Sequence, residues 1–528
     1  MSKPMFKRFY TQIIMSNKHR IKSFDLSNPF ITDYIFSSSS ILSKFIQLEN
    51  LLIHDIKSDY LNELLIHLVS LPCLYSLVID CIDNVTNKNI IYRQIFCIPV
   101  LKYCKLSLNE PFNLIPLPIT TTEFSPIEYL IITNILRVNE LNGLLSYVPQ
   151  LHRLSIHLSN QLSEKYQEQY SIHLKRLKHV DLNISNMNFN DFELIIKNLF
   201  NQIEVLYISS KYDLTYLDEN RLQRLILFHL RHLRIFDIVI LYAADWNESI
   251  YDYTYLLDRF QSRFWFDRGW FFEYQTYYDC LERFIFYSIN PYRRKSYTIY
   301  DGSNMKMYSS RPKHQINSVQ FVKIEEYEDI INCKYDFPNA TELTILYCYE
   351  KQNQNFLLTS FNNIIPLKQL TKLVIDSYSN SFIEIIELLL LSPNIHIFQI
   401  DLVSLEYSDL ISIENSETYQ LLSKTNNIIQ MIIMLDCTLE IIKFFINLFP
   451  RLQYFTMRIS NDNIKPVLSL LFSKDNYNTQ NLFSLCIKHM SDEEFDILKN
   501  FIGLEKLFDV YLTRVKRDMY DDKVYLWW

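Results

Sequence analysis

One spacing of apolar residues recurs along nearly the whole chain: an apolar position, two variable ones, an apolar one, a variable one and a further apolar one. It starts at Ile21 (IKSFDL), Leu48 (LENLLI), Leu74 (LYSLVI), Leu101 (LKYCKL), Ile127 (IEYLII), Leu151 (LHRLSI), Leu177 (LKHVDL) and Ile203 (IEVLYI). It resumes at Leu233 (LRIFDI), Leu281 (LERFIF), Ile316 (INSVQF), Ala340 (ATELTI), Leu370 (LTKLVI), Ile395 (IHIFQI), Ile428 (IIQMII), Leu452 (LQYFTM) and Leu482 (LFSLCI). The last two apolar residues of each unit are one residue apart, the period of a β-strand with one buried face. Positions four and six are therefore expected in the core, and positions three, five and seven on the opposite face. The first eight units follow one another at 24 to 27 residues, which leaves room for the crossover that parallel strands need. In a chain this apolar the pattern alone is weak, but a second signal supports it. Pro72, Pro99, Pro149, Pro338, Pro393 and Pro450 each stand two residues before a unit. Proline cannot continue a helix and biases the residue before it towards extended backbone, so it marks a helix-to-strand junction.

Between the units the apolar period changes to that of a helix. Leu61, Leu64, Leu65 and Leu68 form one such stripe, and Phe192, Ile195, Ile196 and Leu199 another. Ser491 and Glu494 form a capping box ahead of Phe495, Leu498 and Phe501. Each unit thus reads as strand, turn, helix. One unit cannot bury both its apolar faces, whereas stacked units bury a continuous core. At roughly 25 cal/mol per Å² of apolar area, that stacking is the dominant stabilising term.

These units resemble leucine-rich repeats, in particular those of F-box/leucine-rich-repeat proteins of the expanded invertebrate type. The stretch KRFYTQIIMSNKHRIKSFDL from Lys7 looks like the segment joining an F-box to the first repeat, and RFQSRFWFDRGWFFEYQ from Arg259 like an insertion of the same group. The resemblance implies an α/β solenoid, an irregular horseshoe with parallel strands on the concave side and helices on the convex side. It also implies a protein-recognition scaffold, the substrate-binding arm of a ubiquitin-ligase adaptor, with ligase subunits as partners where an F-box is supplied upstream. The F-box opening, of the type L-P-x-E-[IL]-L, is not found in this chain: Leu71-Pro72 and Leu117-Pro118 lack its continuation. The organisation expected is a basic joining segment over 1–20, a repeat array over 21–512 and a C-terminal tail over 513–528. The array carries an aromatic insertion at 242–280 and a basic, tyrosine-bearing one at 291–315.

Outward strand positions select the candidate surface. Tyr103, Tyr129, Arg153, His179, Tyr207 and Arg283 fall on the face away from the core, and such residue types dominate interface hot spots. In the aromatic insertion Trp265 and Trp270 are five residues apart, about 140° around a helix. One is expected to pack on the repeats and the other to sit near the surface as an anchor.

Composition then narrows the chemistry. Gly143, Gly269, Gly302 and Gly503 are the only glycines, so no glycine-rich phosphate loop can be drawn. No G-x-S-x-G, H-E-x-x-H or metal-ligand spacing is present; the expectation is a non-enzyme with no cofactor and no metal. A net charge of −7 argues against a general nucleic-acid binder. The local run Arg293, Arg294, Lys295, Lys306, Arg311 and Lys313 with its tyrosines leaves RNA as a third reading, behind a self-associating structural protein as the second. The nine cysteines sit mostly in apolar runs without a C-x-x-C pair, as in a reducing compartment. The start lacks an apolar signal region and, with no acid before Asp25, has only the charge bias of a mitochondrial presequence. A cytoplasmic or nuclear location and no membrane span are expected.

Overall fold

The computed structural model describes residues 8–26, 39–109, 116–160, 174–243, 254–278, 282–290, 294–299, 314–324, 335–346, 361–376, 382–401, 407–459, 461–472, 477–504, 514–518 and 523–527, except 86 and 212, together with 172, 330 and 333. The chain forms two compact units, Phe9–Tyr292 and Arg293–Trp528, with Met1–Arg8 grouped with the second.

In the first unit nine strands lie side by side in chain order, each parallel to the next. They are β1 (Ser23–Leu26), β2 (Asn50–Ile56), β3 (Ser76–Asn84), β4 (Tyr103–Asn109), β5 (Tyr129–Arg137), β6 (Arg153–Ser159), β7 (His179–Ser185), β8 (Val205–Lys211) and β9 (Ile235–Ala243). The sheet closes with a hairpin, β10 (Phe271–Tyr278) and β11 (Glu282–Asn290), of which β11 runs antiparallel against β9.

The register has a local cause. The backbone carbonyl at position two of each unit accepts two N–H groups, those of positions two and three of the next. Lys22 accepts from Glu49 at 2.7 Å and Asn50 at 2.9 Å, and the same pair recurs as far as Glu204, which accepts from Arg234 and Ile235. Both lone pairs are thereby used, and no unit can slip against its neighbour without losing them. Position three therefore faces position three along the sheet, and the apolar positions stack. Leu51 and Ile53, Cys104 and Leu106, Leu154 and Ile156, and Leu206 and Ile208 are all buried.

Helices cover the core side. The helix Ser58–Leu68 buries Leu61, Leu64, Leu65 and Leu68, and Phe189–Leu199 buries Phe192, Ile195, Ile196 and Leu199, as the stripes require. Asn87, Asn188 and Asp218 each accept a backbone N–H at a helix start. Between β4 and β5 the chain passes so close to the helix Val138–Ser146 that a Cβ on Gly143 would lie 1.8 Å from the Leu117 carbonyl oxygen. Ser146 holds the same segment by accepting the Thr120 N–H at 2.9 Å.

The second unit repeats the plan. Its main sheet contains β12 (Ser296–Ile299), β14 (Phe321–Ile324), β16 (Glu342–Ile345), β17 (Lys372–Asp376), β18 (Ile397–Asp401), β19 (Gln430–Cys437), β20 (Tyr454–Ile459) and β21 (Ser484–Ile487), all parallel. A small pair, β13 (His314–Gln315) with β15 (Tyr335–Asp336), stands beside it. The hairpin β22 (Arg514–Asp518) and β23 (Lys523–Trp527) ends the main sheet, β23 running antiparallel against β21. The capping box forms: Ser491 donates its backbone N–H to Glu494 Oε2 at 2.6 Å, and Ser491 Oγ accepts the Glu494 N–H at 3.3 Å.

Four expectations change. The unit at Leu281 is not a further parallel strand but half of a hairpin, so the parallel run expected over 21–512 stops at β9 and resumes at β12. The unit placed at Ile316 begins at Val319, because Phe321 pairs with Glu342 and Val322 with Leu343. The 291–315 insertion contains β12, and Tyr297 within it is buried against Tyr335 and Phe337. The tail at 513–528 contributes the terminal hairpin.

Candidate functional site

Across β4 to β7 the strand face opposite the core is lined by side chains that the register sets side by side. Tyr103 pairs with Tyr129, Tyr129 with Arg153 and Arg153 with His179. Neighbouring strands are about 4.8 Å apart, so these four side chains form one row roughly 14 Å long. Tyr129 is 43% exposed, Arg153 and His179 are exposed, and Tyr103 is half-buried. Two of the residues expected in this row lie elsewhere. Tyr207 is at position five and stands beside Asp181, one row deeper; the row itself continues to Val205, which is buried. Arg283 pairs with Ala243 at the far end of β9, because β11 runs antiparallel. Its side chain lies outside the described residues.

The second row, at position five, holds Lys105, Ile131, Ser155, Asp181 and Tyr207. Ser155 Oγ donates to Asp181 Oδ2 at 3.1 Å. Burial pushes the Asp181 carboxyl above its ordinary range, against the opposing pull of that hydrogen bond and of Arg153. Beyond it, His157 Nε2 and Ser185 Oγ share a hydrogen bond of 2.7 Å, and burial with the nearby Lys211 lowers the His157 imidazole. Lys105, His157, Asp181 and Lys211 were readable from the same alternation that selected Tyr129. A search for large anchors alone passes over them.

The rim beside the first row is of another kind. At position two a lysine precedes a glutamate three times, and Lys22 pairs with Glu49 at 2.8 Å, Lys102 with Glu128 at 2.7 Å and Lys178 with Glu204 at 2.9 Å. Hydrogen bonds from Lys102 and Lys178 hold Glu128 and Glu204 below the usual carboxylate range. Such exposed pairs contribute little to stability, but they neutralise the rim.

The aromatic insertion differs from expectation. Trp265 is 0% and Trp270 3% exposed, so neither is a surface anchor. Trp265 packs against Phe236, Phe260 and Phe272 with ring centroids 5.9, 5.0 and 5.4 Å away. Trp270 donates its indole N–H to the Arg234 carbonyl at 3.3 Å. The bend at Gly269, with φ +67°, turns the chain so that both rings face inward. Helical phase does not continue past it. Phe266, 65% exposed, takes the outward place.

Cysteine chemistry is muted. Desolvation raises the Cys81 thiol to about 12, helped by Asp83, and the Cys437 thiol to about 12, helped by Asp436. The thiolate is the nucleophile, so these groups serve as small core residues. Among the described residues no cluster of three or more His, Cys, Asp or Glu side chains is arranged to hold a metal ion, and no helix is long and apolar enough to cross a membrane.

Together these features define a mixed α/β repeat scaffold with long parallel sheets and an open, basic and aromatic strand face. No protein-family model matches the chain, and no curated protein matches it. Among solved structures it is similar to a TLR13 complex with a single-stranded RNA, at 12% identity and a TM-score of 0.24, covering 88% of this chain. The chain spans about half of that one, 52%.

Proposed function

We propose that the chain is a non-catalytic recognition scaffold that holds a protein partner on the open strand face of β4 to β7. The observation that carries this reading is the in-register row of Tyr103, Tyr129, Arg153 and His179. Tyrosine brings large contact area with two side-chain torsions, arginine adds charge and planar hydrogen bonding, and the sheet holds their backbone in place before binding. The sequence resemblance supports a finer version, in which the scaffold is a leucine-rich-repeat solenoid acting as the substrate arm of a ubiquitin ligase.

The test is affinity purification from native cells with the intact chain and with a Tyr129→Ala, Arg153→Ala variant. Partners should be lost from the variant while its melting temperature stays within a few degrees, since surface substitutions cost about 0.5 kcal/mol or less. Unchanged capture removes this face from consideration. Cullin-type subunits among the captured proteins support the ligase version, and their absence with other partners present leaves only the scaffold.

A further inference from the structure

The charge on the open face differs from that of the chain around it. The chain carries −7 overall, and the rim pairs its lysines with glutamates. On the face itself Lys105, Arg153 and Lys211 make no hydrogen bond or ion pair through their side chains among the described residues. Of the acids facing the same way on β4 to β8, Asp181 is the one described, and it stands two residues along from the Arg153 row. On β4 to β6 the face therefore carries Lys105 and Arg153 with no acid among their outward neighbours on those strands, while Asp80 of β3, Asp181 of β7 and the buried Asp237 of β9 stand at its flanks.

From this charge complementarity we propose that the partner presents an extended acidic peptide segment to β4 to β8, its carboxylates meeting Lys105 and Arg153 and its backbone lying over Tyr129. The proposal deepens the recognition reading above and rests on it. Lys105 and Arg153 are two strands and one row apart, on the order of 12 Å at usual sheet spacings. That is close to the span of four residues in an extended peptide, so acidic side chains on one face of the peptide can reach both. A nucleic-acid strand fits less well: its closely spaced phosphates need a longer run of cations to release counterions, and Asp181 stands beside Arg153.

The experiment uses the full chain and a fluorescently labelled glutamate oligomer of about a dozen residues, followed by anisotropy at low and at physiological salt. The intact chain should bind it, with affinity falling as salt rises. Arg153→Glu should weaken binding by about tenfold, some 1.4 kcal/mol, and Arg153→Lys should restore most of it. Asp181→Asn should tighten binding a few-fold, a sign that a merely structural effect of the substitution does not predict. No binding by the intact chain, or loosening by Asp181→Asn, overturns the proposal. Stronger binding of a single-stranded oligonucleotide of equal charge, lost in the same variants, also overturns it in favour of a phosphate ligand. If partner capture from cells depends on Tyr129 and Arg153 but the glutamate oligomer does not compete, the acidic ligand fails while the recognition reading stands.

Discussion

Asp181 is costly where it stands. Its carboxyl is raised by burial, so the ionised form costs more in the folded chain than in the unfolded one. A group whose folded pKa lies above its unfolded value, near 3.9 for aspartate, contributes stability while protonated and loses it as pH rises. Asp181→Asn keeps an oxygen to accept the Ser155 hydroxyl and removes the charge. It should raise the melting temperature near neutral pH, and the gain should close below about pH 4, as measured by calorimetry across that range. Retaining a destabilising charge on an outward strand position is characteristic of surfaces kept for binding. At this scale the sequence was a partial guide. Alternation placed Tyr129, Arg153 and Asp181 on one face, but exposure depends on what the rest of the chain brings over that face, which alternation does not encode. Val205 and Asp237 share the outward parity and are buried.

Three elements were misassigned for separate reasons, the first being that a strand's period carries no direction. In β11, Phe284 and Phe286 alternate inward like any parallel unit, so the hairpin was invisible in the hexapeptide. Ile316 aliased the repeat because a buried residue also stands three positions before many of the units, as Phe45 and Ile98 do before Leu48 and Leu101. With Val319 and Phe321 apolar too, the spacing matched in a shifted frame. β12 was missed because Arg294 occupies the first, normally apolar, position. The hairpin itself is anchored by Trp265, whose ring is enclosed by Phe236, Phe260 and Phe272. Trp265→Ala should cost roughly 3–5 kcal/mol, read by denaturant unfolding of the full chain. Phe266→Ala, at an exposed position, should cost a small fraction of that. Equal losses at the two sites would mean the hairpin is not packed as described.

At the scale of the whole molecule, strand, turn and helix units and their parallel order were legible over most of the chain, because the hexapeptide, the prolines and the helical stripes agree. The division into two was not. Both parallel runs end the same way, with a hairpin whose second strand pairs antiparallel with the last parallel one, β11 on β9 and β23 on β21. A reversed pair gives a run its own terminus, as capping units do in repeat proteins. Fragments 9–292 and 293–528 should therefore each unfold cooperatively when expressed alone. A cut between β7 and β8, inside the first parallel run, should expose core and yield aggregating pieces. Loss of structure in both separated fragments would show the hairpins not to be termini.

A partner held on the open strand face would lie against Tyr129. The most direct measurement places a photoreactive benzophenone side chain at Tyr129 on that face or at Ile66, an exposed residue of the helix Ser58–Leu68, and irradiates native cells. Position 129 should give a discrete protein adduct and position 66 none. Adducts from the helical position, with position 129 silent, would contradict that placement.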